Sequence, residues 1–361
     1  TNIKKIMKIC IINDDLKIGG KEKVIILKAN EFVKNHDVSI ILLGSDNSLE
    51  DNLDKRINVV YLNMKLDYSL NFPKLFSLFF PFPKKYKLST YDSVYCHYSF
   101  KGWQLLNKLN AINKIVVIHG DILETAKLPI LKKNIYEYVI KFLLKKHKIS
   151  FVSEDLKNKL VKRKIVKSVN SFYIPNPFEF DVVIREISSK KLTFINIANL
   201  IPLKNQKRLI YAFSKLIKQY ENIQLFILGN GILLEELKIL TDKLNLNDNI
   251  VFTGRVKNID SYLSNANFGI LPSIREGLPM ALLEKINYEL PIIISNTPSN
   301  KTFFKKKKIL YVDPESIEDI YDKMKLVIEH EEKYIKITQN LKSELTLKLN
   351  ANNISHQYLN I

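Results

Sequence analysis

The chain has 361 residues, 46% of them hydrophobic and 26% charged, and a formal net charge of +19. That length suits two ordinary domains with real cores, and the composition is that of a soluble globular chain rather than a disordered or fibrous one. No stretch reaches the roughly 18–20 uninterrupted apolar residues of a spanning helix. The apolar run 8–13 is too short for a signal peptide, and Cys10 and Cys96, the two cysteines, read as buried free thiols of a reducing compartment, with no metal-ligand spacing anywhere.

From the N-terminus, short β-branched runs alternate with longer helical patterns. Strands are expected at 8–13, 37–43, 58–62, 92–96, 114–118, 149–152 and 171–174, with helices at 21–34, 102–109 and 130–146. The pattern then repeats, with strands at 192–197, 223–228, 250–253, 268–271, 291–295 and 309–311, and helices at 205–218, 233–244, 280–288 and 317–348. Such alternation predicts parallel sheets covered by helices on both faces. The fold class is therefore α/β, with two Rossmann-like, doubly wound domains. The expected limits are 1–176, a linker 177–191 marked by Pro175 and Pro177, a second domain 192–348, and a tail 349–361. Ligands of such sheets bind outside the carboxyl ends of the strands, and a cleft between two such domains is the expected active site.

The charge is uneven: residues 1–176 carry 31 basic against 16 acidic side chains, and residues 177–361 carry 25 against 21. The first half is thus expected to face something anionic, such as an acidic lipid or glycan. Nucleic acid is disfavoured, since no recognition helix, zinc finger or aromatic RNA-binding signature accompanies the charge. Segment 71–87 breaks the alternation. Phe72, Phe76, Phe79, Phe80 and Phe82 stand beside Lys84, Lys85 and Lys87, and this reads either as a packing insertion or as an element dipping into an anionic membrane surface.

The most specific chemical signal lies in 268–296. A strand ends at Leu271, a polar turn follows, and Gly277 and Pro279 introduce an apolar helix. Proline suits a first helical turn, glycine lets a ligand approach the backbone, and the N–H groups of Gly277, Leu278 and Met280 form a phosphate site. Glu276, just before the helix, can reach sugar hydroxyls beside the phosphates. Glu284, further along the helix, can accept two hydrogen bonds from a ribose diol. Lys204, at the start of another helix, is a cation where the helix dipole disfavours one, which suggests a phosphate role. His119 ends the strand 114–118 at the mouth of the first sheet, and His97 is a second strand-end histidine.

Glu276 and Glu284 in this setting resemble the E-x7-E donor motif of glycosyltransferase family 4, retaining enzymes of the GT-B fold. Other segments resemble that family in order. Gly19-Gly20 with Glu22 resembles its GG-x-E signature, and Ile174-Pro175-Asn176-Pro177 resembles the end of its first domain. Ala198-Asn199-Leu200 with Lys204-Asn205-Gln206 resembles its diphosphate clamp, although the family places arginine where this chain has Asn199. Leu228-Gly229-Asn230-Gly231 resembles its Gly-Asp-Gly turn, and Phe252 to Val256, including Arg255, resembles the segment beside the nucleotide base.

The resemblance implies a retaining hexosyltransferase. Its donor is a nucleotide sugar, UDP-linked hexose or N-acetylhexosamine by family frequency, and its acceptor is a hydroxyl of a glycan or lipid-linked saccharide in bacterial polysaccharide or lipopolysaccharide synthesis. Glu276, Lys204 and His119 are the expected catalytic residues. Glu284, Gly277, Leu278, Arg255, Val256, Gly229, Asn199, Gly19 and Gly20 are the expected donor-binding residues. No metal and no cofactor beyond the donor is expected, and the expected location is cytoplasmic, peripheral at the inner face of the membrane. A sugar-nucleotide epimerase of the same fold, or an inactive nucleotide-sugar-binding protein, is the alternative.

Overall fold

The computed structural model describes residues 5–64, 90–97, 99–123, 130–185, 191–305 and 308–361. They form two compact units, Thr1–Phe178 with Ala351–Ile361, and Glu179–Asn350. The phenylalanine-rich segment 71–87 lies outside the described residues. Among those described, no helix is long and apolar enough to cross a membrane.

The first unit is a seven-stranded parallel sheet. Its strands are β1 (Lys8–Asn13), β2 (Asp37–Leu42), β3 (Asn58–Tyr61), β4 (Thr90–His97), β5 (Asn110–Ile118), β6 (Lys148–Phe151) and β7 (Ser171–Tyr173), in the order β3-β2-β1-β4-β5-β6-β7. Helices α1 (Gly20–Phe32), α2 (Phe100–Lys108), α3 (Ile130–Leu144) and α4 (Glu154–Lys162) connect them. A strand covered on both faces is apolar at most positions. In β1 the side chains divide by period two. Cys10 and Ile12 join the core with Val94, Cys96 and Trp103, while Ile9 and Ile11 join the core with Ile25, Ala29 and Tyr95. Both cysteines are buried free thiols, pushed upward by burial. Strand order reverses between β1 and β4, the topological switch where ligands of open α/β sheets bind.

The second unit is a six-stranded parallel sheet in the order β10-β9-β8-β11-β12-β13. Its strands are β8 (Leu192–Ile197), β9 (Ile223–Leu228), β10 (Ile250–Gly254), β11 (Phe268–Leu271), β12 (Ile292–Ser295) and β13 (Leu310–Val312). The helices are α5 (Gln206–Leu216), α6 (Leu234–Lys243), α7 (Asp260–Ser264), α8 (Met280–Asn287), α9 (Pro298–Phe304), α10 (Ile317–Glu329) and α11 (Glu331–Leu349). Here the order reverses between β8 and β11.

Three expectations change. The helix expected at 317–348 is two helices, because His330 leaves the helical region at φ −132, ψ 37 and separates α10 from α11. The tail expected at 349–361 contains α12 (Ala351–Leu359), which belongs to the first unit and packs on α1, with Ile354 and Tyr358 buried in its core. Of the expected linker, residues 179–185 are part of the second unit. The Asp181 N–H donates to Oδ1 of Asn287 at 2.9 Å, and the Arg185 guanidinium donates to the carbonyl of Ala266.

Candidate functional site

Two loops leave the carboxyl ends of β8 and β11, on either side of the switch in the second sheet. The β8 loop begins at Ala198, whose N–H donates to the carbonyl of Leu228 at 3.0 Å, and the Leu200 N–H donates to Asn230 at 3.1 Å. This edge-on contact explains the Gly-Asn-Gly sequence. Gly229 sits at φ +141, and a Cβ there would collide with the carbonyl of Ala198; a Cβ on Gly231 would collide with Leu200. The Gly229 N–H donates to Gly254 at 2.8 Å, which extends the tie to the end of β10.

The β8 loop then makes a short 3-10 turn, Pro202–Lys204, and Asn205 takes a left-handed conformation at φ 61 before α5. Asparagine tolerates that region, and its amide is put to use. Nδ2 of Asn205 donates to the carbonyls of Pro272, in the β11 loop, at 3.0 Å and of Pro314 at 2.6 Å. The Ile274 N–H donates to the carbonyl of Leu203 at 2.9 Å, and Nζ of Lys204 donates to Oε1 of Glu276 at 2.6 Å. Lys204 therefore does not open a helix. It sits on a turn held by buried asparagine and paired with the first glutamate.

The β11 loop leads into α8. Pro279 is the N-cap residue of this helix, in an extended conformation (φ −73, ψ 127), one position earlier than the expected first turn. No side chain caps the helix, so the N–H groups that begin it, at Met280 and Ala281, lack intrahelical acceptors and carry the positive end of the dipole. Gly277 is half-buried and Leu278 buried just ahead of them. Glu284 follows in the second turn of α8, half-buried.

Lys285 escaped sequence reasoning, although it stands three residues after Leu282 on the inner face of α8. Its side chain is wholly buried, and its stem fills the space that Gly269 of β11 leaves; a Cβ on Gly269 would strike it. Nζ donates to the carbonyl of Ala281 at 3.1 Å. Burial pulls Lys285 down to about 8, against the opposing charges of Glu284 and Glu276, with Lys204 adding to the decrease. Two carboxylates and two ammonium groups thus share one end of the sheet.

The remaining expected donor residues are more peripheral. Asn199 points an exposed side chain outward while its carbonyl accepts from Nε2 of Gln206 at 3.2 Å. Arg255 is exposed just past β10, and Val256 packs against the buried cluster of Leu228 and Leu263.

In the first unit, Gly19 is the N-cap of α1 in extended backbone, and a Cβ there would meet the carboxylate of Glu22, which folds back over it. Gly20 opens the helix itself. His119 follows β5 and is half-buried, whereas His97, at the end of β4, is completely buried. Their rings stack at 4.9 Å, with Nδ1 of His97 2.8 Å from Nε2 of His119. His97 is therefore no mouth residue but the support behind His119.

Residues 178–344 match the family model described as glycosyl transferases group 1, and residues 18–182 match the one described as glycosyltransferase family 4. The chain belongs to glycosyltransferase family 4. It is 26% identical over 345 residues to an uncharacterized glycosyltransferase of Haemophilus influenzae, covering 89% of this chain and 90% of the relative. A second uncharacterized glycosyltransferase, from Methanocaldococcus jannaschii, is 30% identical over 208 residues, covering 52% of this chain and only 50% of that relative. An alpha-1,4-N-acetyl-D-galactosaminyltransferase of Campylobacter jejuni, named for a PP-undecaprenol-linked saccharide, is 25% identical over 300 residues, 80% of this chain and 79% of its own. Among solved structures, TarM of S. aureus in complex with fondaparinux, alpha-GlcNAc-glycerol and UDP superposes with a TM-score of 0.76 at 12% identity, covering 98% of this chain and 99% of that one. That likeness establishes the GT-B fold, two parallel-sheet α/β domains, for this family 4 chain.

Proposed function

We propose that the chain is a retaining transferase that moves a hexose or N-acetylhexosamine from a UDP-linked donor to a hydroxyl of a glycan or lipid-linked acceptor during bacterial surface polysaccharide synthesis. The observation that carries this reading is the Lys204–Glu276 pair beside the uncapped start of α8, at the switch point of the second sheet. The helix N-terminus and Lys204 are suited to the two phosphates, Glu276 to the sugar hydroxyls and Glu284 to the ribose diol. As the nucleoside diphosphate departs, negative charge grows on its terminal phosphate. Lys204 and the α8 N–H groups stabilise that charge, and the phosphate can take the proton of the acceptor hydroxyl attacking the same face of the sugar. His119 is assigned to hydrogen-bond saccharide oxygens. Donor charge is neutralised by protein groups in this scheme, so transfer is expected to survive excess chelator. The choice of acceptor draws on the relative that is named for a PP-undecaprenol-linked saccharide, and that of donor on the solved relative bound to UDP.

Membrane association has support in α3. Ile135, Tyr138 and Phe142 recur along one face of this helix and are exposed, with exposed Lys141 and Lys145 beside them. That face suits the interface of an anionic bilayer, where a lipid-linked acceptor resides.

The test of the function is a panel of nucleotide sugars scored by thermal shift, followed by transfer to a lipid-linked acceptor and NMR of the product anomer. A UDP-sugar that stabilises the protein and yields a product with the donor's anomeric configuration supports the reading. An inverted product, or binding with no transfer to any acceptor, contradicts it.

A further inference from the structure

Three nitrogen-bearing side chains form a line from α1 to the end of β5. Lys28 has no solvent exposure, and its Nζ lies 3.0 Å from Nε2 of His97. Nδ1 of His97 lies in turn 2.8 Å from Nε2 of His119. Two ring faces enclose the Lys28 ammonium, Tyr95 of β4 at 4.9 Å and Tyr358 of α12 at 4.2 Å. Tyr358 is itself fixed, since its carbonyl accepts from the Tyr95 hydroxyl at 2.9 Å and its own hydroxyl from Ser150 at 3.3 Å. Among the described residues no carboxylate pairs with Lys28. An ammonium so deeply buried is costly unless a specific acceptor and polarisable surfaces receive it. Burial draws Lys28 down to about 7.

The direction of this chain follows from donor counting. An ammonium only donates, so Nε2 of His97 must accept from it. Both imidazoles are held neutral: His97 by burial first and then by Lys28 and His119, and His119 by burial first and then by Lys21 and Lys28. A neutral imidazole carries one N–H. With Nε2 of His97 accepting, its proton is on Nδ1 and points at Nε2 of His119, whose own proton must then be on Nδ1. An uncharged or absent Lys28 removes this constraint, and the two rings can run the bond either way.

We propose that Lys28 and His97 are positioning residues that fix the tautomer of His119, so that His119 offers an Nδ1–H donor at the end of β5 rather than a bare acceptor. The functional weight of this rests on the proposed place of His119 in sugar transfer; the tautomer itself does not. A fixed donor suits a saccharide hydroxyl oxygen and costs no reorganisation during the reaction.

The test is long-range 1H–15N correlation of the full chain labelled with 15N-histidine at pH 6, below the lowered Lys28 value. The chain has six histidines, and the His119→Gln spectrum assigns the one in question. His119 is expected to show a protonated Nδ1 and a bare Nε2, and in Lys28→Met its two nitrogens are expected to shift toward the average of a mixed tautomer. With an active donor and at pH 6, kcat of Lys28→Met should fall about tenfold while the donor KM stays within about twofold. An Nε2–H tautomer in the unaltered protein overturns the proposal, as does an unchanged single tautomer in folded Lys28→Met. Should Lys28→Met fail to fold, the spectrum of the unaltered protein decides alone. Absence of transfer with every donor would refute the functional reading and leave the spectrum, and this proposal, untouched.

Discussion

Nζ of Lys204 and Oε1 of Glu276 meet at 2.6 Å and so join the loop that leaves β8 to the loop that leaves β11. Their side chains are only 20% and 7% exposed. Each therefore holds the other in place; in the proposed function, a diphosphate drawing on Lys204 would release the Glu276 carboxylate. Removing either partner leaves a shielded charge unpaired. Lys204→Met and Glu276→Gln are each expected to lower unfolding free energy by about 1–3 kcal/mol, with the double variant costing less than the sum. Denaturant melts of the four proteins give the coupling. Strictly additive losses would mean that the pair contributes nothing to the architecture of the site.

Asn205 is the second fastener. Its left-handed backbone and two buried amide hydrogen bonds separate cleanly by mutation. Asn205→Gly keeps the backbone conformation and loses the bonds to Pro272 and Pro314, whereas Asn205→Ala loses both. Losses of about 1–3 kcal/mol for glycine and about 1 kcal/mol more for alanine are expected in thermal or urea unfolding, with weaker nucleotide binding in both. Equal stability of Asn205→Gly and the unaltered protein would remove the fastener role.

Lys285 makes stability depend on pH in a defined sense. Its folded value, about 8, lies below the value near 10.4 of an unfolded lysine, so the folded state binds its proton less readily. The stabilising contribution is complete above about 10.4 and is lost as pH falls through about 8, a difference of about 3 kcal/mol. Unfolding free energy is expected to rise between pH 7 and 9.5, and to rise less in Lys285→Met. Identical slopes in the two proteins would show that Lys285 is not buried as charge.

The exposed face of α3 gives a membrane prediction independent of 71–87. Co-sedimentation with acidic vesicles is expected at low salt and should fall, but not vanish, at high salt. Each lysine near the surface contributes about 1 kcal/mol of screened attraction, and the aromatic rings add an unscreened part. Replacing Tyr138 and Phe142 with serine should remove the salt-resistant fraction. If that fraction persists, the face of α3 is not the contact, and Phe79→Ser with Phe80→Ser becomes the test of 71–87.

Much of the fold was legible because most of its strands are largely buried and are therefore rich in apolar residues; each of the thirteen strands among the described residues overlaps one of the expected runs. Helix ends were less legible. The break at His330 has no proline or glycine to announce it, and α12 follows a region that reads as a tail because Ile354 and Tyr358 acquire meaning only against α1. In the site, Glu276, Glu284 and Lys204 stand out because charge next to a strand end and a glycine-proline turn is unusual. Their mutual pairing does not, since it depends on Asn205 folding one loop onto another. Lys28 and Lys285 were hidden by charge itself. Each occupies an inward helical position, but lysine reads as surface unless a neighbour such as Gly269, or an aromatic pair such as Tyr95 and Tyr358, is known to leave room for it.

In the proposed function Glu276 serves the sugar and Glu284 the nucleotide. This division is tested most directly by measuring UDP affinity calorimetrically and sugar transfer kinetically in Glu276→Ala and Glu284→Ala. Loss of a charged hydrogen-bond partner costs on the order of 2–4 kcal/mol, about 30-fold to nearly 1000-fold. Glu284→Ala is expected to lose UDP affinity by such a factor, and Glu276→Ala to keep UDP affinity within a few-fold and lose transfer. Equal and mild effects of both substitutions on both quantities would contradict that division.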